Sequence, residues 1–138
     1  MARDFVLDAS VCLAWYLPAS TEQKAYSAKV EKLIIDGAVP NVPSMWLYEI
    51  SANLIKARRA KQISLATLNA AMVDMDAIHY EVHHVNYTIG QIVKAAKEYH
   101  LQGYDALYFD LAKRRELPIA TLDSGIRAAC RRLGVKLL

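Results

Sequence analysis

Four carboxylates stand out by where they fall in the chain: Asp8, Glu49, Asp105 and Asp123. Asp8 closes the apolar run Phe5-Val6-Leu7, and Asp123 closes the run Leu117-Pro118-Ile119-Ala120-Thr121-Leu122. Short apolar runs bounded by turn-forming residues read as buried strands. Asp105 can open a helix after Gly103, and Glu49 falls in the second turn of a helix that starts near Pro43. If the strands that end in Asp8 and Asp123 are parallel neighbours, all four acids gather at one sheet edge and repel one another. Protonation relieves that repulsion, and so does a bound cation. Clustered carboxylate oxygens suit Mg²⁺ or Mn²⁺ rather than zinc. Such an ion, with positions left open for water, is equipped to cleave phosphodiesters. Taken singly, each acid has an ordinary use. Asp105 and Asp123 fit as N-caps, Glu49 as a solvated helix residue and Asp8 as a turn former. The chemistry rests on their joint placement.

The elements that would position these acids follow from the periodicity. After Phe5-Val6-Leu7, Ser10 to Leu17 reads as a short helix stopped by Pro18. Thr21-Glu22 opens a helix with Tyr26, Val30, Leu33 and Ile34 on one face, and Gly37 ends it. Residues 38–42 read as a second strand, irregular at Pro40. Pro43 fits the first turn of a helix to about Ala60, with Leu47, Ile50, Leu54 and Ala57 on its inner side. Ser64 can cap a helix with Leu65, Leu68, Met72 and Met75 inward. Val82 to Val85 predicts a third strand, and Ile89, Ile92, Val93 and Ala96 mark the helix after it. The helix opened by Asp105 turns Tyr108, Leu111 and Ala112 inward. The fourth strand is Leu117–Leu122, followed by a helix from Ser124 to Leu133, Gly134, and a fifth strand, Val135–Leu137. Strands separated by helices imply an α/β fold with a mainly parallel sheet, whose site lies outside the carboxyl ends of the strands.

The motifs themselves resemble those of a known family. Val6-Leu7-Asp8-Ala9-Ser10, Glu49-Ile50-Ser51-Ala52-Asn53, Tyr104-Asp105-Ala106-Leu107-Tyr108 and Ile119-Ala120-Thr121-Leu122-Asp123 look like the four motifs of PIN-domain ribonucleases, in order and in spacing. Within that family the chain resembles the VapC toxins of toxin–antitoxin pairs. The resemblance implies a single Rossmann-like PIN domain over residues 1–138, with a parallel sheet of about five strands ordered 3-2-1-4-5. It implies an endoribonuclease dependent on Mg²⁺ or Mn²⁺, with Asp8, Asp105 and Asp123 on the metal and Glu49 completing the acidic site. Ser10 and Thr121 would be supporting hydroxyls, and Asn53 a supporting partner one turn from Glu49. One metal or two stays open. The partners it implies are an RNA substrate, a VapB-like antitoxin and a second copy of the chain. Asp110, five residues past Asp105, falls outside these motifs and is expected to point away from the site.

Composition sets bounds around this reading. The chain has 138 residues, 54% of them hydrophobic, which excludes a disordered or collagen-like protein. No apolar run reaches the ~18 residues of a membrane span. The start lacks the pattern of a signal peptide, so a cytoplasmic location is expected. Cys12 and Cys130 cannot build a disulfide scaffold and read as reduced, buried thiols. Lys and Arg total 17 against 14 Asp and Glu, for a net charge of +3. With four of those acids assigned to the site, the remaining surface is more basic still. Basic clusters occur at Lys56-Arg58-Arg59-Lys61, Lys113-Arg114-Arg115 and Arg127-Arg131-Arg132-Lys136. They suit phosphate, but they also suit the last turns of helices. His79 and His83 share a helical spacing, yet no third ligand accompanies them.

Other readings are weaker. A PIN-like module that binds RNA or protein without cutting would leave four unneutralised acids facing phosphate. A haloacid-dehalogenase-type phosphatase needs a second Asp where Ser10 stands, and a receiver domain needs an acid where the third strand ends at Val85-Asn86.

Overall fold

Phe5, Val6 and Leu7 form β1 (Phe5–Leu7), and all three side chains are buried. A strand covered by helices on both faces has no wet side, so its residues are apolar without alternation. In this computed structural model, which describes residues 3–138, β1 pairs in parallel with β2 (Pro40–Pro43) on one side and β4 (Ile119–Ala120) on the other. β3 (Glu81–His83) extends the sheet beyond β2, giving the order β3-β2-β1-β4. The predicted α/β class and strand order therefore hold. The predicted fifth strand does not form: Leu137 makes a single parallel bridge to Ile119, and the C-terminal segment contributes no further ladder. β2 is an interior strand although it carries two prolines. Pro40 and Pro43 occupy its two ends, where a missing N–H costs the ladder least.

Seven helices connect and cover the strands among the described residues: α1 (Ala9–Leu13), α2 (Thr21–Ile35), α3 (Met45–Arg59), α4 (Leu65–Asp76), α5 (Ile89–Tyr99), α6 (Gly103–Arg115) and α7 (Ser124–Leu133). α1 is shorter than the apolar run Ser10–Leu17 implied. The turn that follows it is tied down by Lys24, whose Nζ donates to O of the C-cap residue Ala14 at 2.6 Å and to Leu17 O at 2.7 Å. α2 opens with a reciprocal cap between Ser20 and Gln23. It closes at Gly37, whose φ of +105° a residue with a Cβ rarely adopts.

α3 buries Trp46, Ile50, Leu54 and Ala57. Leu47, expected inside, is exposed, and Trp46 takes its place one residue round the helix, packed on Tyr80. Pro43 belongs to β2 and not to the helix. Leu65 and Met72 of α4 are likewise exposed, whereas Met75 is buried as expected and Ala71 is buried beside it. β3 starts one residue earlier than predicted, and β4 covers only the middle of its apolar run. Among the described residues no helix is long and apolar enough to cross a membrane.

Candidate active site

The parallel register at the centre of the sheet sets the site. Leu7 pairs with Ala120, and the Asp8 N–H donates to Ala120 O at 3.0 Å, so the next residues, Asp8 and Thr121, leave the sheet side by side. Asp8 is only 4% exposed. Its Oδ2 accepts two hydrogen bonds of 2.6 Å each, from Ser10 Oγ and Thr121 Oγ1. Ser10 Oγ accepts in turn from Leu122 N–H, and Thr121 Oγ1 accepts from Asp123 N–H, both at 3.0 Å. The two hydroxyls thus tie the ends of β1 and β4 together through one carboxylate oxygen. Each of them donates to the acid and accepts from the backbone, which fixes their proton positions.

Asp123 caps α7, its Oδ2 accepting from Ile126 N–H at 2.8 Å. The ordinary capping role and the place at the sheet edge are therefore held by the same carboxylate. Gly125 lets the first turn of α7 close on it: a Cβ there would stand 3.0 Å from Asp123 Oδ2 and 3.6 Å from the Leu101 side chain. Asp105 lies in the first turn of α6, which begins at Gly103 and not at Asp105 itself. Its carboxylate accepts no hydrogen bond from the described residues. Glu49, half-buried in the second turn of α3, accepts from the Tyr108 hydroxyl at 3.0 Å.

The electrostatics follow. Burial holds the Asp8 carboxyl above its ordinary range, against the two hydroxyl bonds that favour its ionised form, and Asp123 pushes it further up. Burial likewise raises Asp105, to about 6, with Asp123 and Asp8 adding repulsion. Glu49 is raised by burial and by Asp8 and Asp105, opposed by the Tyr108 bond. The acids are thus electrostatically coupled and short of positive charge. As they stand they do not form a cage: among the described residues no three His, Cys, Asp or Glu side chains converge tightly enough to grip one ion. Mg²⁺ does not require such a cage. It keeps several waters and is commonly held by one or two carboxylates with substrate phosphates. A set of hard oxygens with excess negative charge matches that donor preference.

Asn53 lies one turn from Glu49 and lines the same cavity. Its amide donates to the backbone O of Glu49 at 2.8 Å and does not bond the Glu49 carboxylate. Tyr108 carries that contact. The periodicity turns Tyr108 inward, and a buried tyrosine needs a partner for its hydroxyl, which was the available signal. Asp110 points away from the site as expected. It accepts from Tyr87 at 2.7 Å, Tyr99 at 3.1 Å and Arg114 Nε at 2.8 Å.

The basic clusters divide by position. Lys56, Arg58 and Arg59 end α3, Lys113 to Arg115 end α6, and Arg131 and Arg132 end α7. All three helices begin at the acidic edge, and a 15-residue helix such as α3 is about 22 Å long. These residues complement helix C-termini, and the length of α3 carries its group away from the acids. The α6 group instead comes back to the strand ends: Arg115 lies 3.2 Å from His83 Nδ1 at the end of β3, and Arg114 lines a pocket with Pro43, Ser44 and Met45. Arg127 is the exception. In the first turns of α7, its Nε donates to Thr121 O at 2.8 Å and its guanidinium lies over the Tyr26 ring, 4.7 Å from the centroid. Among the described residues the histidines join no group of three possible metal ligands. His83 sits on β3, with Nε2 2.7 Å from Asn41 Oδ1. Cys12 and Cys130 are free and buried.

Comparison with known proteins agrees with this architecture. The family model of the PIN domain matches residues 5–132. The chain belongs to the PIN domain family. PIN domains are generally nucleases and typically use divalent metal ions. Three solved structures share the fold. PAE2754 from Pyrobaculum aerophilum superposes with a TM-score of 0.64 at 22% identity, over 94% of this chain and 81% of that one. FitAcB from Neisseria gonorrhoeae gives 0.61 at 17% identity, over 97% and 96%. VapBC2 from Rickettsia felis, bound to a DNA fragment from their promoter, gives 0.59 at 11% identity, over 97% and 96%. No curated protein sequence matches the chain.

Proposed function

We propose that this PIN domain is a Mg²⁺- or Mn²⁺-dependent endoribonuclease and the toxin of a toxin–antitoxin pair. The observation that carries the reading is geometric: Thr121 ties Asp8 to Asp123 at the ends of β1 and β4, with Asp105 and Glu49 in the opening turns of α6 and α3, and burial raises the carboxyls of Asp8, Glu49 and Asp105. Asp8, Asp105 and Asp123 would hold the ion, directly or through water. When bound, the ion supplies charge neutralisation at phosphate oxygens and acidifies a water.

The chain's own residues do the rest. Ser10 and Thr121 hold one oxygen of Asp8 and so fix the carboxylate at the strand end. Tyr108 fixes Glu49, which would accept a proton from an attacking water. The cap at Ile126 N–H orients Asp123. The products expected are a 5′-phosphate and a 3′-hydroxyl.

A VapB-like antitoxin and a second copy of the chain are the proposed protein partners. The toxin–antitoxin names of two structural neighbours support the first, and exposed apolar side chains such as Ile89, Val93 and Val73 support protein contacts in general.

Cleavage of total RNA tests the reading. Wild type and Asp8→Asn are compared with Mg²⁺, with Mn²⁺ and with EDTA. Discrete fragments made by wild type alone, and only with metal, are expected. Folded, antitoxin-free wild type that leaves all RNA intact would instead favour a PIN module that binds without cutting.

A further inference from the structure

Resting on the ribonuclease reading above, we propose that Tyr48 and Tyr104 form a base-stacking subsite beside the acids that positions the substrate strand for cleavage. Tyr48 is 76% exposed and Tyr104 68% exposed. Among the described residues they are the two exposed aromatic rings; every other Phe, Tyr and Trp is buried or half-buried. Both line one cavity of about 660 Å³, together with Met45, Glu49 and Asn53. An adjoining cavity shares Glu49 and Tyr104 and adds Asp105. The exposed aromatic surface of the molecule is therefore concentrated at the rim of the acidic site.

The other tyrosines show what these rings are not doing. The hydroxyls of Tyr16, Tyr26, Tyr87, Tyr99 and Tyr108 bond within the fold, and Tyr80 packs on Trp46. Tyr48 and Tyr104 instead keep their faces in water, which forgoes the gain from burial. Each directly precedes a site acid, Glu49 or Asp105, in the first or second turn of a helix that starts at this edge. An RNA backbone that reaches Glu49 and Asp105 brings its bases past both rings.

A base offers its π-face to an aromatic side chain only when it is unstacked and unpaired. Such stacking tolerates every base, so it supplies affinity and position without a sequence code. The cavity also falls within the ~300–1,000 Å³ typical of ligand clefts.

The test is equilibrium binding of a randomised, fluorescein-labelled phosphorothioate RNA in Ca²⁺, with the same pool annealed to its complement as the duplex probe. Wild type is expected to favour the single strand. Tyr48→Ala and Tyr104→Ala should each weaken it roughly tenfold, while Tyr48→Phe and Tyr104→Phe, which keep the ring, bind as wild type does. A 2-aminopurine probe should lose its stacking quench with the Ala variants. With natural RNA, the Ala variants should raise KM more than they lower kcat.

Ala variants that bind and cleave like wild type overturn the subsite and leave the nuclease reading standing. So do Ala variants that keep RNA affinity but change oligomeric state in light scattering, which would make this face an interface between copies. Wild type that neither binds nor cleaves any RNA overturns the ribonuclease reading itself, and the subsite with it.

Discussion

Two aspartates on α6 sit five residues apart and live in opposite worlds. Asp110 is saturated: two tyrosine hydroxyls and Arg114 converge on its carboxylate. Asp105 accepts no hydrogen bond from the described residues, faces Asp8 and Asp123, and has its pKa pushed up to about 6. The same helix therefore carries one acid whose charge is satisfied inside the fold and one whose charge is not. Structural carboxylates are surrounded by donors because an unpaired buried charge is costly. A carboxylate left short of donors beside two others is arranged for something the chain itself does not contain.

The largest effect expected from that difference is on cleavage. Asp105→Asn and Asp8→Asn should lower the rate by on the order of 10³-fold, equivalent to several kcal/mol of lost charge stabilisation. Asp110→Asn should stay within a few-fold of wild type. A side-by-side rate measurement on one RNA checks both. If Asp110→Asn proved as damaging as Asp105→Asn, the division of α6 into a structural and a functional half would be wrong.

Next in size is Tyr108→Phe. Removing the 3.0 Å bond to Glu49 should cost about 10- to 100-fold in rate, as loss of groups that orient a ligand or base commonly does. The bond favours ionised Glu49, so its loss should also move the acid limb of the pH–rate profile to higher pH. A uniform drop with no change in profile would assign Tyr108 to packing alone.

The contrast between the two aspartates was only partly legible in the sequence. The α/β class, the strand order and the four acidic positions follow from apolar runs that each end in a carboxylate, because a parallel register carries strand ends to one edge. The motif spacing set Asp110 apart, but its partners could not be read. Tyr87 lies in an irregular loop and Tyr99 on α5, and neither position is encoded in the local pattern around Asp110. The fifth strand failed for a related reason. Val135-Lys136-Leu137 has strand-like composition, but β4 is only two residues long and offers little ladder to extend. The inner face of α3 was misread by one residue because Trp46 and Leu47 are both large and apolar, and the choice between them is made by Tyr80, far along the chain. Clustering of the basic residues was visible in the sequence. Where each cluster sits relative to the strand ends, as with Arg115 beside His83, was not.

For stability the order reverses. Asp110→Ala would strand the hydroxyls of Tyr87 and Tyr99 and release Arg114, and should cost about 2 kcal/mol, within the range for hydrogen bonds to a charged group. A fall in the thermal midpoint of roughly 6–10 °C is expected for a chain of this size. Asp105→Asn and Asp8→Asn should raise the midpoint of the metal-free protein, because each removes a carboxylate that its neighbours oppose. Calorimetry of the three variants in EDTA separates a carboxylate that supports the fold from one that burdens it.

The smallest effect expected, and the most direct reading of the burden, is the pH dependence of metal-free stability. The folded pKa of Asp105 is pushed up to about 6, above the ordinary aspartate value of 3.8. Between those two values the folded chain binds more protons than the unfolded chain, so stability must fall as pH rises through that window. Glu49 and Asp8 are shifted in the same direction and act with the same sign. Metal-free wild type should therefore melt higher at pH 5 than at pH 7, against the usual behaviour of paired carboxylates. Asp105→Asn should flatten the slope, while Asp110→Asn should leave it in place. Mg²⁺ or Mn²⁺ added at pH 7 should restore what the pH rise removed, since a cation and a proton relieve the same repulsion. A melting point that is flat from pH 5 to 7 and unmoved by either ion would mean that the acids at the sheet edge are too far apart, or too well hydrated, to act as one site.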